Sequence, residues 1–241
     1  MRIAILSDIH GNLTAFNAVL ADLQQTSPDL VLHGGDLADA GSSPTEIIES
    51  IRDLGWQGVM GNTDEMLVQP SSLEEFATTS SAPPALWTAI REIATATRDA
   101  LGEDRLAWLR ELPRINIQES FALVHATPHT CWRAPAPDST DAELDAIYGS
   151  LEKPTVIFAH THLPSIRNLN ARLMLLINTG SVGLPYDGDP RASYLLLNGS
   201  TPSIRRVEYD LEKELKALAS CNLPGAEWTT RMLRTSSPQI S

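Results

Sequence analysis

The chain has 241 residues, of which 42% are hydrophobic, so it can bury a sizeable core and is not a disordered protein. Its 30 acidic and 18 basic residues give a net charge of -12 at pH 7, which argues against electrostatic binding to nucleic acid or to anionic membranes. Two cysteines exclude a disulfide framework and a cysteine-rich zinc module, and no apolar run approaches the roughly 20 residues that cross a bilayer. The N-terminus does not have the pattern of a signal peptide, so we expect a soluble, cytoplasmic protein.

The first quarter of the chain alternates between strand and helix signals. Short apolar runs predict strands over 2–7, 30–32 and 57–60. A helix after the first strand is predicted from apolar residues at three- and four-residue spacing, namely Leu13, Phe16, Leu20 and Leu23. A second helix is predicted over 44–54, with Ser43 as N-cap and a buried face of Ile47, Ile48, Ile51 and Leu54. This order is typical of a sheet with crossover helices.

The rest of the chain is more varied. The pattern predicts a loop over 69–84, helices over 86–100 and 104–111, and a last helix over 211–218 followed by a polar tail. Strands are predicted over 115–117, 121–125, 156–159, 173–178, 194–197 and 204–207. Turn residues separate the last three strands, so this half of the sheet is expected to be antiparallel. We expect one domain over 1–210, with a helical insertion over about 65–112, and 211–241 as part of that domain.

Seven polar residues stand at or near the ends of predicted strands. They are Asp8, His10, Asp36, Asn62, His125, His160 and His162. Loops at the carboxyl ends of strands lie side by side in an open sheet, so residues distant in sequence converge there. Residues in the Asp-x-His and His-x-His pairs are two positions apart, which predicts that both side chains point to the same side of an extended segment. The glycines before Asp36 and Asn62 allow a sharp turn.

Each of these residues alone has an ordinary explanation. A single Asp or Asn after a strand is usually a turn residue or a helix cap. A single His at the end of a strand is usually a hydrogen-bonded side chain and not a metal ligand. Together, two acids and four imidazoles in one cleft without metal would be costly to bury. The combination therefore predicts a metal site.

The order Asp-x-His, Gly-Asp, Gly-Asn, His, His-x-His resembles that of the calcineurin-like metallophosphoesterase superfamily. The compact size and the N-terminal sequence Met-Arg-Ile-Ala-Ile-Leu-Ser-Asp-Ile-His-Gly-Asn are similar to those of its small bacterial and archaeal phosphodiesterase branch. The resemblance spans residues 2–207 and implies an α/β fold, a four-layer sandwich of two mixed β-sheets flanked by helices. It also implies a two-metal centre. One ion would be held by Asp8, His10, Asp36 and His162, the other by Asn62, His125 and His160, with Asp36 bridging.

Imidazole and carboxylate ligands suit two divalent transition-metal ions, namely Mn, Fe, Zn or Co, of which we favour Mn. Such a pair would hold a bridging hydroxide that attacks phosphorus, so no protein nucleophile is needed. Among the ligands, we expect Asp36, Asn62 and His125 to take part in catalysis. We expect a small phosphoester or nucleotide as substrate and neither nucleic acid nor membrane as partner.

One position departs from the family pattern. Many members have a histidine after Gly-Asn, often assigned to protonating the leaving group or binding phosphate, whereas this chain has Thr63. Threonine is a poor general acid near neutral pH, so we hypothesise substrates with stable leaving groups. Thr63, His129 and Arg191 are the candidate substrate contacts, and Trp132 and Arg133 are weaker ones. We expect a structural role for His33 and an inert thiol at Cys131.

Several functions remain open on the sequence alone. The chain could hydrolyse phosphodiesters, dinucleoside polyphosphates, or phosphomonoesters and phosphoproteins. It could also be an interaction scaffold with the same fold, although such scaffolds can lose metal ligands and all seven positions are filled here. The segment over 65–112 would either set substrate choice or only pack against the sheet.

Overall fold

The computed structural model describes residues 1–170 and 173–239. In this part of the chain, ten strands form two five-stranded sheets. In chain order they are β1 (Arg2–Leu6), β2 (Leu30–His33), β3 (Gln57–Gly58), β4 (Ile115–Ile117), β5 (Phe121–Val124), β6 (Thr155–Phe158), β7 (Ser165–Leu169), β8 (Met174–Asn178), β9 (Ala192–Asn198) and β10 (Thr201–Val207).

The α-helices of the described residues surround the sheets. In chain order they are α1 (Leu13–Thr26), α2 (Pro44–Asp53), α3 (Asn62–Val68), α4 (Ser71–Thr78), α5 (Pro84–Arg110), α6 (Asp141–Tyr148), α7 (Leu211–Ser220) and α8 (Ala226–Thr235). None of the helices in the described residues has both the length and the apolar character needed to cross a membrane.

Both sheets are mixed. The first has the order β10-β9-β1-β2-β3, in which β1, β2 and β3 are parallel while β9 and β10 are antiparallel to their neighbours. The second has the order β4-β5-β6-β8-β7, in which β5, β6 and β8 are parallel and the two edge strands are antiparallel. The carboxyl ends of the parallel strands therefore form one edge in each sheet.

The sheets pack face to face because their strands are apolar on both sides. In β1, Ile3 and Ile5 belong to the core between the sheets, together with Leu123 and Ile157 of the second sheet. The alternate residues of β1 face the outer helices, since side chains of a strand alternate between its faces. On the far side of the second sheet, Tyr148 of α6 packs on β6. The layers confirm the predicted four-layer α/β sandwich.

The prediction of a loop over 69–84 is wrong for half of that segment. Residues 71–78 form α4, whose apolar residues Leu73, Phe76 and Ala77 are spaced for one helical face and pack on the core. The two helices predicted over 86–100 and 104–111 are confirmed as the two parts of α5, which are separated at Gly102, where the backbone is not helical (φ 69°, ψ 169°). Leu54 was predicted to be buried but is 47% exposed, because α2 ends one residue before it.

Other corrections concern the second half of the chain. The predicted polar tail contains α8, in which Met232 and Leu233 pack against Leu215 and Leu218 of α7. The three strands predicted to be antiparallel divide between the sheets: β9 and β10 form a hairpin in the first, whereas β8 lies parallel to β6 in the second. Helix α6 and strand β7 were not predicted. Strand β7 has only one buried residue, Leu169, which leaves little hydrophobic signal.

Candidate metal centre

The seven candidate ligands meet at one edge of the sandwich. Asp8 and His10 follow β1, Asp36 follows β2, and Asn62 opens the helix after β3. The other three, His125, His160 and His162, follow β5 and β6 of the second sheet. The structure thus brings all of them together, as their positions after strands predict, and both sheets contribute.

The paired ligands lie on turns and not on extended backbone. The left-handed region of φ is occupied by Asp8 (52°), His10 (47°), Asp36 (56°), His160 (67°) and His162 (58°). The prediction of period-two alternation in the Asp-x-His and His-x-His segments is therefore wrong. Such a conformation is unfavourable for residues other than glycine and is concentrated at functional sites, where surrounding contacts stabilise it.

The two loop glycines are required by close packing of the backbone. A Cβ atom on Gly61 would lie 2.0 Å from Asp36 Oδ1, and one on Gly35 would lie 2.4 Å from the nitrogen of Gly61. The loops after β2 and β3 therefore touch at positions where no side chain fits. This contact gives the Gly-Asp and Gly-Asn dipeptides a steric explanation beyond the turn.

The first group of ligands contains Asp8, His10, Asp36 and His162. One ligand atom of each lies within 4.8 Å of the others. The His162 Nε2 atom is 3.3 Å from His10 Nε2 and 3.3 Å from Asp8 Oδ1, and His10 Nε2 is 3.7 Å from Asp36 Oδ2. This is a mixed carboxylate and imidazole set of the kind that transition metals prefer.

The second group shares Asp36 with the first and adds His125 and His160. His125 Nε2 lies 3.5 Å from Asp36 Oδ2. The Asn62 Oδ1 atom is between the two imidazoles, 3.0 Å from His125 Nε2 and 2.8 Å from His160 Nδ1. Because Asp36 belongs to both groups, its carboxylate is positioned between two candidate cation sites.

Backbone carbonyls orient three of the imidazoles. The Nδ1 atoms of His10, His125 and His162 each lie within hydrogen-bonding distance of a carbonyl oxygen. The carbonyls belong to Asp39, Gly34 and Leu184, at 3.1, 2.7 and 2.5 Å respectively. A carbonyl only accepts, so in the neutral ring the proton is on Nδ1 and the Nε2 lone pair faces the cluster. This is the tautomer that a metal-binding histidine needs.

The charge of the buried carboxylates in the cluster also favours the binding of cations. Burial alone would raise the pKa values of Asp8 and Asp36, but the neighbouring imidazoles hold both well below the ordinary range. Burial alone would lower the pKa of His125, yet Asp36 raises it to about 9, so this position attracts positive charge. The buried Asp8 Oδ1 atom lies 3.3 Å from His162 Nε2, and with the His162 proton on Nδ1 it receives no hydrogen bond from the described residues. A divalent ion would satisfy these oxygens and would replace the proton on the imidazole.

Asp64, which directly follows Thr63, contributes to the site although no role was predicted for it. It is fully buried, and its carboxylate accepts hydrogen bonds from the backbone nitrogens of Asp36 (2.7 Å), Leu37 (3.0 Å) and Gly61 (3.0 Å). Burial and the nearby Asp36 raise the pKa of Asp64 to about 6 in spite of these bonds. Asp64 thus joins the loops that carry Asp36 and Asn62. The sequence feature that could have indicated this role is an acidic residue at the third position of a helix, where its carboxylate can accept from the backbone before the helix.

The three predicted substrate contacts have different positions. Thr63 lies at the centre: its backbone nitrogen donates to Asp36 Oδ1 at 2.9 Å, and the residue lines the adjoining cavity. His129 is exposed and lies in a neighbouring polar cleft. Arg191 is exposed and makes a two-pronged ion pair with Asp189. Within the part of the chain that the structure describes, neither His129 nor Arg191 lines the cavity at the metal ligands.

His33 and Cys131 lie outside the ligand groups. His33 is fully buried near Trp108, and burial lowers its pKa to about 4, so the ring is neutral. The thiol of Cys131 donates to Glu65 Oε2 at 3.0 Å, and burial together with Glu65 raises its pKa far above the ordinary value. A thiol in this state is a poor nucleophile.

A cavity of about 250 Å³ opens on the candidate ligands. Helices α3, α4 and α5, the loop after β5 and helix α8 provide most of its wall. Its larger apolar side chains include Met66, Leu73, Phe76, Trp87, Trp132 and Trp228. The segment over 65–112 therefore lines the site as well as packing on the sheet.

Comparisons with known proteins place the chain in a family. The family model of the calcineurin-like phosphoesterase superfamily domain matches residues 1–201. An uncharacterised protein of Methanocaldococcus jannaschii is 33% identical over 94% of both chains. A metallophosphoesterase from Sphaerobacter thermophilus is 27% identical, with a TM-score of 0.80 over 98% of this chain and 100% of that one. A hypothetical protein from Pyrococcus horikoshii has a TM-score of 0.84 at 19% identity, over 99% of each chain.

Proposed function

Since the chain belongs to the calcineurin-like phosphoesterase superfamily and is a phosphoester hydrolase by that membership, we propose that it is a phosphodiesterase with two divalent transition-metal ions. The observation that supports this best is the shared carboxylate of Asp36. Its Oδ2 atom lies 3.7 Å from His10 Nε2 in one ligand group and 3.5 Å from His125 Nε2 in the other. Manganese is the favoured ion, and iron, zinc and cobalt suit the same ligands.

Asp8, His10, Asp36 and His162 would hold one ion, and Asp36, Asn62, His125 and His160 the other. When bound, the ions supply Lewis acidity, which activates water and neutralises charge on the phosphoryl oxygens. The chain's own contribution is orientation: Asp64 fixes the two loops, and the Thr63 nitrogen holds Asp36 Oδ1. This preorganisation lowers the cost of assembling the site around substrate.

A metal-dependence assay tests the proposal. Chelator-stripped protein should not hydrolyse bis(4-nitrophenyl) phosphate, and activity should return with Mn²⁺ in preference to Mg²⁺ or Ca²⁺. His162→Ala should lower kcat/KM by more than about 100-fold, since loss of a ligand exceeds the usual effect of changing a ligand's hydrogen-bond partner. His129→Ala is the matched control, because His129 is exposed in the neighbouring cleft. Equal activity of both variants, or activity after complete metal removal, would contradict the proposal.

The position after Asn62 gives a second prediction. Within the described residues the Thr63 hydroxyl is buried without a hydrogen-bond partner, and its pKa is too high for it to protonate a leaving group. We therefore expect the rate to depend steeply on the leaving group. Across aryl methyl phosphodiesters, a plot of log kcat/KM against phenol pKa should have a clear negative slope. A flat plot with chemistry shown to be rate-limiting would mean that another group protonates the leaving oxygen.

The alternatives are less well supported. A polyphosphate chain needs cations near its additional phosphates, yet in residues 1–170 and 173–239 no lysine or arginine lines the cavity. The nearby Arg114 pairs with Glu65, and Arg133 lies over the ring of Phe76. A scaffold without catalysis has no need for seven converging ligands. Hydrolysis of a dinucleoside polyphosphate faster than of any phosphodiester would reverse this ranking.

A further inference from the structure

The wall of the cavity beside the metal centre contains five aromatic side chains, those of Phe76, Trp87, Trp132, Tyr186 and Trp228. The ring of Phe76 lies 4.9 Å from Trp132 and 5.7 Å from Trp87, measured between centroids. Tyr186 extends this surface to the ligands, because its ring stacks on His162 at 4.3 Å with an interplanar angle of 13°. Trp228 adds a further ring from the C-terminal helix α8. Aromatic faces set at several angles offer a planar ring both stacking and edge contacts.

The charges around the cavity restrict what it can bind. Apart from the candidate metal ligands, the acidic residue that the described part of the chain places in the wall is Asp39, which is buried, and burial raises its pKa to about 7. As no cationic side chain among the described residues faces the cavity, it is unsuited to a second phosphate or a carboxylate. The lining therefore favours an uncharged group over an anionic one, and the metal centre is left to bind the phosphoryl group.

Hydrogen bonds fix the aromatic wall in place. Glu65 accepts hydrogen bonds from Trp132 Nε1 (2.5 Å) and from Cys131 Sγ (3.0 Å). In addition, Thr229 Oγ1 donates to the carbonyl of Ala40 at 2.8 Å, which joins α8 to the loop after β2. A cavity with fixed walls loses little conformational freedom when a rigid ring enters.

We propose that this cavity binds a planar aromatic group of the substrate, so that the chain prefers phosphodiesters that carry an aryl group or a nucleobase over those with small alkyl esters. This inference rests on the proposed function and specifies its substrate class. The volume of about 250 Å³ is well above the roughly 30 Å³ of one water molecule, so an organic group can be accommodated. Stacking on aromatic side chains tolerates different rings, which is why the proposal covers both aryl groups and nucleobases.

A substrate series with one leaving group tests the preference. Each substrate is an S-ethyl phosphorothiolate diester, so that the common leaving group, ethanethiolate, has no ring and is measured as released thiol. The second ester is methyl, cyclohexyl, phenyl, 1-naphthyl or the 5′-oxygen of thymidine. We expect kcat/KM for the phenyl and naphthyl esters to exceed that of the methyl ester by roughly 10-fold to 100-fold. The thymidine ester distinguishes a nucleobase from a simple aryl group as the better occupant. Equal rates across the series would overturn the proposal, as would equal rates for cyclohexyl and phenyl esters, which would indicate apolar bulk alone.

Variants at two half-buried tryptophans localise the effect. Trp228→Leu should reduce the phenyl-to-methyl ratio of kcat/KM to near one, whereas Trp228→Phe, which keeps a ring, should retain most of it. Trp56→Leu is the matched control, since Trp56 packs on Phe16 outside the cavity. An unchanged ratio in Trp228→Leu, or an equal loss in Trp56→Leu, would show that the cavity does not set the preference.

A binding measurement separates this inference from the proposed function. Three of the five tryptophans, Trp87, Trp132 and Trp228, line the cavity, so an aromatic ligand should change the tryptophan emission. With Mn²⁺ present, 1-naphthylphosphonate should bind at least about 10-fold more tightly than methylphosphonate, and Trp228→Leu should remove the difference. Failure of the protein to hydrolyse any diester, with this binding difference intact, would reject the phosphodiesterase and keep the aromatic site. Hydrolysis of the methyl ester without a binding difference would reject the aromatic site alone.

Discussion

Asp36→Asn is expected to lower kcat/KM on bis(4-nitrophenyl) phosphate by about 10³-fold, which corresponds to about 4 kcal/mol of transition-state stabilisation. The asparagine keeps the size of the side chain and an oxygen that can accept from the Thr63 nitrogen. It removes the negative charge that both ligand groups share. Its amide nitrogen would also face the imidazoles of His10 and His125, where only an acceptor can bind a cation.

Metal content gives a readout that does not depend on activity. Wild-type protein should hold two Mn²⁺ per chain after dialysis, and Asp36→Asn should hold one at most. The rise in thermal midpoint that Mn²⁺ produces should shrink accordingly, because ligand binding stabilises the folded state by mass action. Asp189→Asn is a suitable control: this acid pairs with Arg191 away from the cavity. Two ions and near wild-type activity in Asp36→Asn would exclude a bridging role for its carboxylate.

The convergence of the ligands could be predicted because it depends mainly on chain topology. Polar residues that directly follow buried parallel strands must meet at one edge of the sheet. The local geometry could not be predicted in the same way. Asp8 and His10 both have left-handed backbone, stabilised by contacts between loops such as the hydrogen bond from the Asp8 nitrogen to the Gly35 carbonyl. A sequence pattern of period two contains no information about such contacts.

The cavity wall could not be predicted because it joins segments that are distant in sequence. Trp87, Trp132 and Trp228 come from three separate parts of the chain. Helix α8 did leave a weak signal, since Met232 and Leu233 follow Trp228 at helical spacing and Gly225 precedes the helix. The polar residues between Trp228 and Met232 weakened this helical pattern. The packing of α8 beside the metal centre is a tertiary contact that local propensity does not determine.

Asp64→Ala is expected to cause the largest loss of stability, about 3–6 kcal/mol in the free energy of unfolding. The buried carboxylate accepts three backbone N–H groups, and each buried donor left without a partner costs about 1–3 kcal/mol. Removal of the carboxylate also removes the cost of its own burial, so the net loss stays below the upper end of that sum. Those donors belong to Asp36, Leu37 and Gly61, so the loops that carry two candidate ligands would separate. Urea unfolding of chelator-stripped protein measures the effect without a contribution from metal binding.

Asp64→Asn provides a milder change if the alanine variant does not fold, because its side-chain oxygen can still accept hydrogen bonds while its amide opposes a backbone N–H. We expect it to lose about 1–3 kcal/mol. Glu143→Ala is the matched control: Glu143 is also the third residue of a helix and accepts from the Thr140 nitrogen at 2.7 Å, but it is exposed. Its replacement should have a much smaller effect. If Asp64→Ala were no less stable than Glu143→Ala, the junction between the β2 and β3 loops would be held by their glycine contacts, and Asp64 would have no positioning role at the metal centre.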